Sequence, residues 1–151
     1  MRTTFTIGAD DFASYATEAE ATKWTVIDRS FPNGTDSAAT RLALVRASFW
    51  LDERLANIPE PVPTDIVRCV VRLATYRAAG DFVAVAPEAA SVSNGGMTIT
   101  QRFAGRQDID EASRLGFPDV ETYRLAKPFI ARGTGVGSFT IPSVYTERPY
   151  L

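Results

Sequence analysis

Histidine is absent from this chain of 151 residues, and cysteine occurs once, as Cys69. Without imidazole there is no Ser-His-Asp arrangement, no histidine base and no common zinc set. A single thiol cannot close an internal disulfide, which fits a reducing compartment and argues against a small secreted scaffold. Lysine is nearly missing too, with only Lys23 and Lys127, so the other cations are all arginines. The 16 basic residues face 18 acidic ones for a net charge of −2, and no block of like charge occurs. Whole-protein attraction to nucleic acid is therefore not expected, because such affinity needs a clustered basic surface to neutralise phosphates. No apolar run approaches the ~20 residues that span a bilayer, and the stretch from Met1 to Phe12 has no apolar leader core. The expectation is a soluble chain, intracellular when made, with no membrane contact.

The hydrophobic share is 45%, enough at this length for one domain with its own core and no metal or disulfide. The arginine bias leans towards protein contacts, since a planar guanidinium suits interface ion pairs, although an arginine-rich genome accounts for it equally well.

Helical signals dominate. Thr17 is placed to cap a short helix through about Trp24, with Glu18 and Glu20 complementing its N-terminus. After the turn cluster Phe31-Pro32-Asn33-Gly34, Asp36 is placed to cap a long helix from Ser37 to about Ala56. At 100° per residue, Leu42, Val45 and Phe49 share one side of that helix, and Leu44, Leu51 and Leu55 lie nearly opposite. A helix apolar on two faces must be covered on both: one face meets the chain's own core and the other a second layer of helices or a neighbouring subunit, and Leu44, Leu51 and Leu55 are the candidate subunit-interface residues, which a connector reading expects to become buried only on assembly. The prolines Pro59, Pro61 and Pro63 break the chain, and Thr64 or Asp65 starts a third helix ending near Ala79 with Gly80 beyond it. Its apolar arc leaves Arg68, Arg72 and Thr75 in a narrow polar strip, and Arg68 and Arg72 join the candidate subunit interface. Cys69 falls on the apolar arc, where an inert buried thiol is expected.

Residues 82 to 110 change character and are read as a hairpin or loop excursion, with alternation around Asn94-Gly95-Gly96 placing a β-hairpin at 91 to 100 and the acidic residues from Asp108 in its loop. Asp119 then caps a fourth helix through Ile130, with Pro128 near its end. Gly133, Gly135 and Gly137 form a hinge before Phe139, Ile141, Val144, Tyr145, Tyr150 and Leu151. Pro142 and Pro149 keep that segment from being helical, so it reads as a docking tail that adds a strand or fills pockets on a partner, or else folds back over its own domain. The glycine run is not a phosphate loop, because no helix N-terminus follows it. The predicted fold is thus mainly α: a small bundle of about four helices over 1 to 132, with the hairpin excursion, and an extended C-terminal tail over 133 to 151.

Chemistry-bearing groups are sparse. Asp52-Glu53 are adjacent on a helix and face apart, and Asp108, Asp110 and Glu111 lack the spacing of a calcium loop. No catalytic, metal or cofactor site is assigned, and the chain is read as a non-enzymatic assembly protein.

Residues 15 to 21 with Trp24, the run from Leu42 to Asp52, and the proline-led run from Ile66 to Ala74 ending in Ala79-Gly80-Asp81 together resemble the head-to-tail connector adaptors of tailed bacteriophages and gene transfer agents. The resemblance covers about residues 12 to 82. It departs from the family in a short segment at 25 to 36 and in Pro59-Glu60-Pro61-Val62-Pro63 where many relatives carry tryptophan, proline and arginine. What it implies is a structural virion protein of the neck, made in the host cytoplasm, whose copies form a twelvefold ring beneath the portal. Its partners would be itself, the portal protein, a tail-side stopper or terminator, and DNA passing through the lumen without sequence-specific contact. A single-stranded-DNA-binding module is the alternative, with Arg68, Arg72, Trp24 and Trp50 as the available basic and stacking groups.

Overall fold

The computed structural model describes residues 2–56, 58–86, 91–94, 97–100 and 106–130, with the backbone alone for 91–94, 97–100 and 106. The chain opens with a β-hairpin, β1 (Thr3–Ile7) and β2 (Asp10–Ser14), paired antiparallel with Phe5 opposite Phe12. Threonines alternating with Phe5 and Ile7 suit a half-buried strand, and Gly8, at φ 69°, supplies the left-handed backbone of the two-residue turn. This hairpin corrects the expectation of a mainly helical bundle: the chain is a small α/β protein, with five α-helices and antiparallel two-stranded pairing among the described residues. Within the predicted excursion, β3 (Ser91–Asn94) and β4 (Met97–Thr100) also pair antiparallel, Val92 opposite Ile99.

Helix α1 (Glu18–Thr25) starts at a capping box in which the Thr17 hydroxyl accepts from the Glu20 amide at 3.1 Å and the Glu20 carboxylate accepts from the Thr17 amide at 2.8 Å. Helix α2 (Ala38–Asp52) is capped by Ser37 rather than Asp36, its hydroxyl accepting from the Thr40 amide at 3.1 Å. It is shorter than its composition suggests, because Leu55 leaves the helix to form a β-bridge with Ile130. Helix α3 (Thr64–Ala79) follows Pro63 without a side-chain cap and ends at Gly80, whose φ of 75° closes the last turn. Helix α4 (Arg106–Leu115) occupies the acidic stretch that the sequence assigns to loop. Helix α5 (Val120–Ala126) is capped by Asp119 and runs into a short 3-10 turn at Lys127–Phe129, where Pro128 removes an amide.

Helix α3 is the axis of the core. Ile66, Cys69, Val70, Val71, Leu73, Ala74 and Thr75 are fully buried, wrapped by α1, α2 and α5 of the same chain. This is the physical reason for a second correction. Leu44 and Leu51, assigned to a subunit interface, are 0% exposed in the single chain because the α2 faces are covered by α3 on one side and the β1–β2 hairpin on another. Leu55 packs partly buried on the same core. The hairpin is keyed to α2 by the Tyr15 amide donating to the Ser48 hydroxyl at 3.1 Å, by Arg2 donating twice to Asp52 at 2.9 Å, and by Phe12 set edge-on to Phe49. Beyond α3, Trp50, Phe82, Phe117 and Tyr123 interlock edge to face with centroids 4.9 to 5.6 Å apart.

Leu51→Ala is expected to lower the unfolding free energy of the isolated chain by roughly 2–5 kcal/mol, the usual cost of a cavity at a sealed site. Urea denaturation of the monomer measures this, and a loss below about 1 kcal/mol would return Leu51 to the surface.

Candidate interaction surface

The polar strip on α3 faces inward, and it determines where Arg68 and Arg72 stand. Asp28, in the segment after α1, has a side chain only 4% exposed. Arg68 donates to both its oxygens, at 2.8 and 2.7 Å, and Arg72 donates to Oδ1 at 2.8 Å. Arg72 also donates through Nε to the Thr122 hydroxyl at 2.9 Å and through Nη2 to Asp119 at 3.2 Å. Asp119 in turn accepts from the Thr122 amide at 2.6 Å while capping α5. The hydrogen bonds from Arg68 hold the Asp28 carboxyl below its ordinary value; burial opposes them and the Arg72 charge assists. Burial pushes Asp119 up, but bonds from Thr122 and Tyr76 and the Arg72 charge outweigh it and leave it lowered.

Arg68 and Arg72 are therefore internal fasteners, not free interface cations. The groups available for stacking are engaged as well: Trp24 lies under Arg68 and Lys23, and Trp50 lies under Arg54, whose carbon Cζ is 3.6 Å from the ring centroid. Arg54 also donates to the carbonyl of Leu115 at 2.8 Å, tying the end of α2 to the end of α4. Burial raises the Cys69 thiol far above its ordinary value, so the sulfur is not a nucleophile. Asp108 is bound by Lys127 at 2.7 Å and Arg124 at 3.0 Å, and Glu111 accepts from the Tyr123 hydroxyl. Among the described residues no group of three potential metal ligands comes together. The hinge glycines Gly133, Gly135 and Gly137 and the tail residues Phe139, Ile141, Val144, Tyr145, Tyr150 and Leu151 lie outside the described residues.

The open surface lies elsewhere. Val26 and Ile27, adjacent just after α1, are 82% and 66% exposed; Val83 is 71% exposed and Phe49 47%. A cleft of about 350 Å³ separates the outer side of α2 from the end of α3, lined by Leu42, Ala43, Arg46, Arg77, Ala78 and Phe82 among others. None of Val26, Ile27, Arg46 and Arg77 was singled out by sequence pattern. Arg46 was legible in principle, since it falls between Leu42 and Phe49 on one helix face. Arg77 was not, because its neighbours come from other elements.

No family profile matches the chain, and no curated protein or solved structure matches it. Among the described residues no helix is long and apolar enough to cross a membrane.

The lowered carboxyls fix a pH response. The unfolded chain binds the extra protons, so the stability carried by Asp28 and Asp119 is present above their unfolded values near pH 4 and is lost as pH falls through the folded ones. The melting temperature should hold above about pH 5 and fall below about pH 4. Asp28→Asn should be less stable at neutral pH and show a shallower acid limb; an acid limb as steep as the parent's would remove Asp28 from this account.

Proposed function

We propose that the chain is a non-enzymatic head-to-tail connector adaptor, whose copies form a ring beneath a portal, receive a tail-side protein and let DNA pass through the centre. The observation that carries this reading is the contrast between a closed core and an open exterior. The helices are covered within one chain, yet Val26 and Ile27 stand side by side in solvent. Adjacent exposed aliphatics on a chain with a complete core suit a protein contact. The order of capped α1, α2 and proline-led α3 supports the reading, since these elements carry the sequence resemblance. The single-stranded-DNA alternative has less support, because Arg68 and Arg72 are neutralised by Asp28 and Asp119 and Trp50 is enclosed by Phe82, Phe117 and Arg54.

Light scattering on the purified chain, alone and mixed with a candidate portal ring, tests the proposal. A many-copy complex with the portal is expected. Deleting 133 to 151 should abolish it while leaving the circular dichroism of the domain intact. A chain indifferent to the portal, or a truncated chain that still binds, would refute the connector reading or the docking role of the tail respectively.

A further inference from the structure

Arg46 and Arg77 stand in the cleft between α2 and α3, with no counter-charge among the described residues. Neither takes part in an ion pair among the described residues, whereas Arg2, Arg29, Arg41, Arg54, Arg68 and Arg72 all do. The Arg77 guanidinium lies over the Phe82 ring at 4.4 Å, and its Nε is buried with no hydrogen-bond partner. That Nε is sealed within the fold, so what the cleft offers an incoming acid is the remainder of the half-buried Arg77 guanidinium and the exposed Arg46. Burial and the charges of Arg46 and Arg54 all disfavour the protonated guanidinium of Arg77, and no carboxylate offsets them. The floor of the cleft is aliphatic and aromatic, from Leu42, Ala43, Ala78 and Phe82. A ligand that fits it carries acid groups on a short, partly apolar projection.

The same chain carries such a projection. The two-residue turn Gly8-Ala9 is followed at once by Asp10 and Asp11, the first residues of β2, both exposed and on opposite faces of the hairpin tip, opposite Ile7 and Thr6 in the pairing. Among the described residues the Asp11 carboxylate accepts from the Thr6 hydroxyl, at 2.6 Å, and neither aspartate is in an ion pair. A two-residue turn is narrow, and its flanking strands are held to α2 by Ser48, Asp52 and Phe49. It is therefore presented in a fixed direction with little ordering entropy left to lose on docking.

We propose that the β1–β2 hairpin tip of one copy enters the Arg46–Arg77 cleft of the next end-on, with Asp10 on one face of the tip and Asp11 on the other. Patch and counter-patch are different surfaces of one chain, so the contact is heterologous and repeats from copy to copy, generating a ring when the rotation closes and a filament when it does not. The inference rests on the ring reading above and adds the residues that would join its subunits. A protein acid is favoured over nucleic-acid phosphate as the occupant because the cleft is small and apolar-walled and the chain is net negative.

Complementary charge reversal tests it. The full-length chain should self-associate when light scattering is followed to about 1 mM. Asp10→Lys with Asp11→Lys, and separately Arg46→Glu with Arg77→Glu, should each weaken association at least about tenfold. An equimolar mixture of the two should restore it, because each lysine tip then meets a glutamate cleft and each aspartate tip an arginine cleft. Circular dichroism checks folding, and Arg46→Glu alone, at an exposed position, serves if loss of Arg77 perturbs the fold. A parent that stays monomeric, variants that associate as well as the parent, or a mixture that fails to recover would each overturn this contact. So would an oligothymidylate that binds the parent and is lost on Arg46→Glu, which would make the cleft a phosphate site. The portal experiment is scored separately: portal capture by the charge-reversed variants with no lateral recovery sinks the contact and leaves the connector reading standing.

Discussion

The buried guanidinium of Arg72 sets a condition that the rest of the fold meets. It lies on the most enclosed helix of the chain, with a side chain only 9% exposed, and a charge there is tolerable only if its donors and its sign are both matched. Asp28, Asp119 and Thr122 match them, and these three come from segments 44 to 50 residues away in sequence. The network therefore fixes three things together: where the chain lies after α1, how α3 is rotated, and where α5 begins. Rotating α3 by one residue would carry Arg72 into the aliphatic core and leave both aspartates facing apolar side chains. Such a network contributes little net stability against a well-packed apolar substitute, but losing one partner strands the others. Its value lies in specifying one arrangement.

Around that fastener the hydrophobic core is closed by the chain itself. Helix α3 is apolar over most of its circumference, and each fully buried branched residue contributes about 1.5–3 kcal/mol when withdrawn from water. Three helices are needed to collect that stabilisation, and α1, α2 and α5 supply it. The β1–β2 hairpin then covers the remaining apolar side of α2. The consequence for function is direct: an interface cannot be read from Leu44 and Leu51, which the core already contains, and must be sought among side chains that the folded chain leaves in solvent.

How far the sequence could be read follows the range of the forces involved. Local signals were legible: Thr17 with Glu20 marks the start of α1, Asp119 marks α5, and Gly80 marks the end of α3, because each acts within four residues. The signals of the β1–β2 hairpin are equally local, with threonines alternating with Phe5 and Ile7 ahead of Gly8. Helix α4 was obscured by its acidic composition, which reads as loop until Lys127 and Arg124 neutralise Asp108. The assignment of Leu44, Leu51, Arg68 and Arg72 to an interface failed for a different reason. A helical wheel shows that a face must be covered and is silent on what covers it. Whether an arginine is free or fastened depends on a carboxylate dozens of residues away.

That dependence also gives the arginines their meaning. Arg68 and Arg72 are fastened to carboxylates, Arg29 lies over Tyr76 and pairs with Asp81, and Arg54 lies over Trp50 and reaches a carbonyl; each is accounted for by folding alone. Arg46 and Arg77 are not. Arg77 does lie over the Phe82 ring, but among the described residues no carboxylate pairs with either guanidinium, and a chain selected for stability alone would offset two neighbouring positive charges with a carboxylate or an aliphatic residue. Local rules broken without internal compensation tend to mark places where a protein meets something else. In this chain the breach lies on the outer side of α2 and the end of α3, the two longest helices, whose positions the core fixes most firmly. A contact made there would transmit its geometry from copy to copy without loss, which is the property a regular assembly requires of its joints.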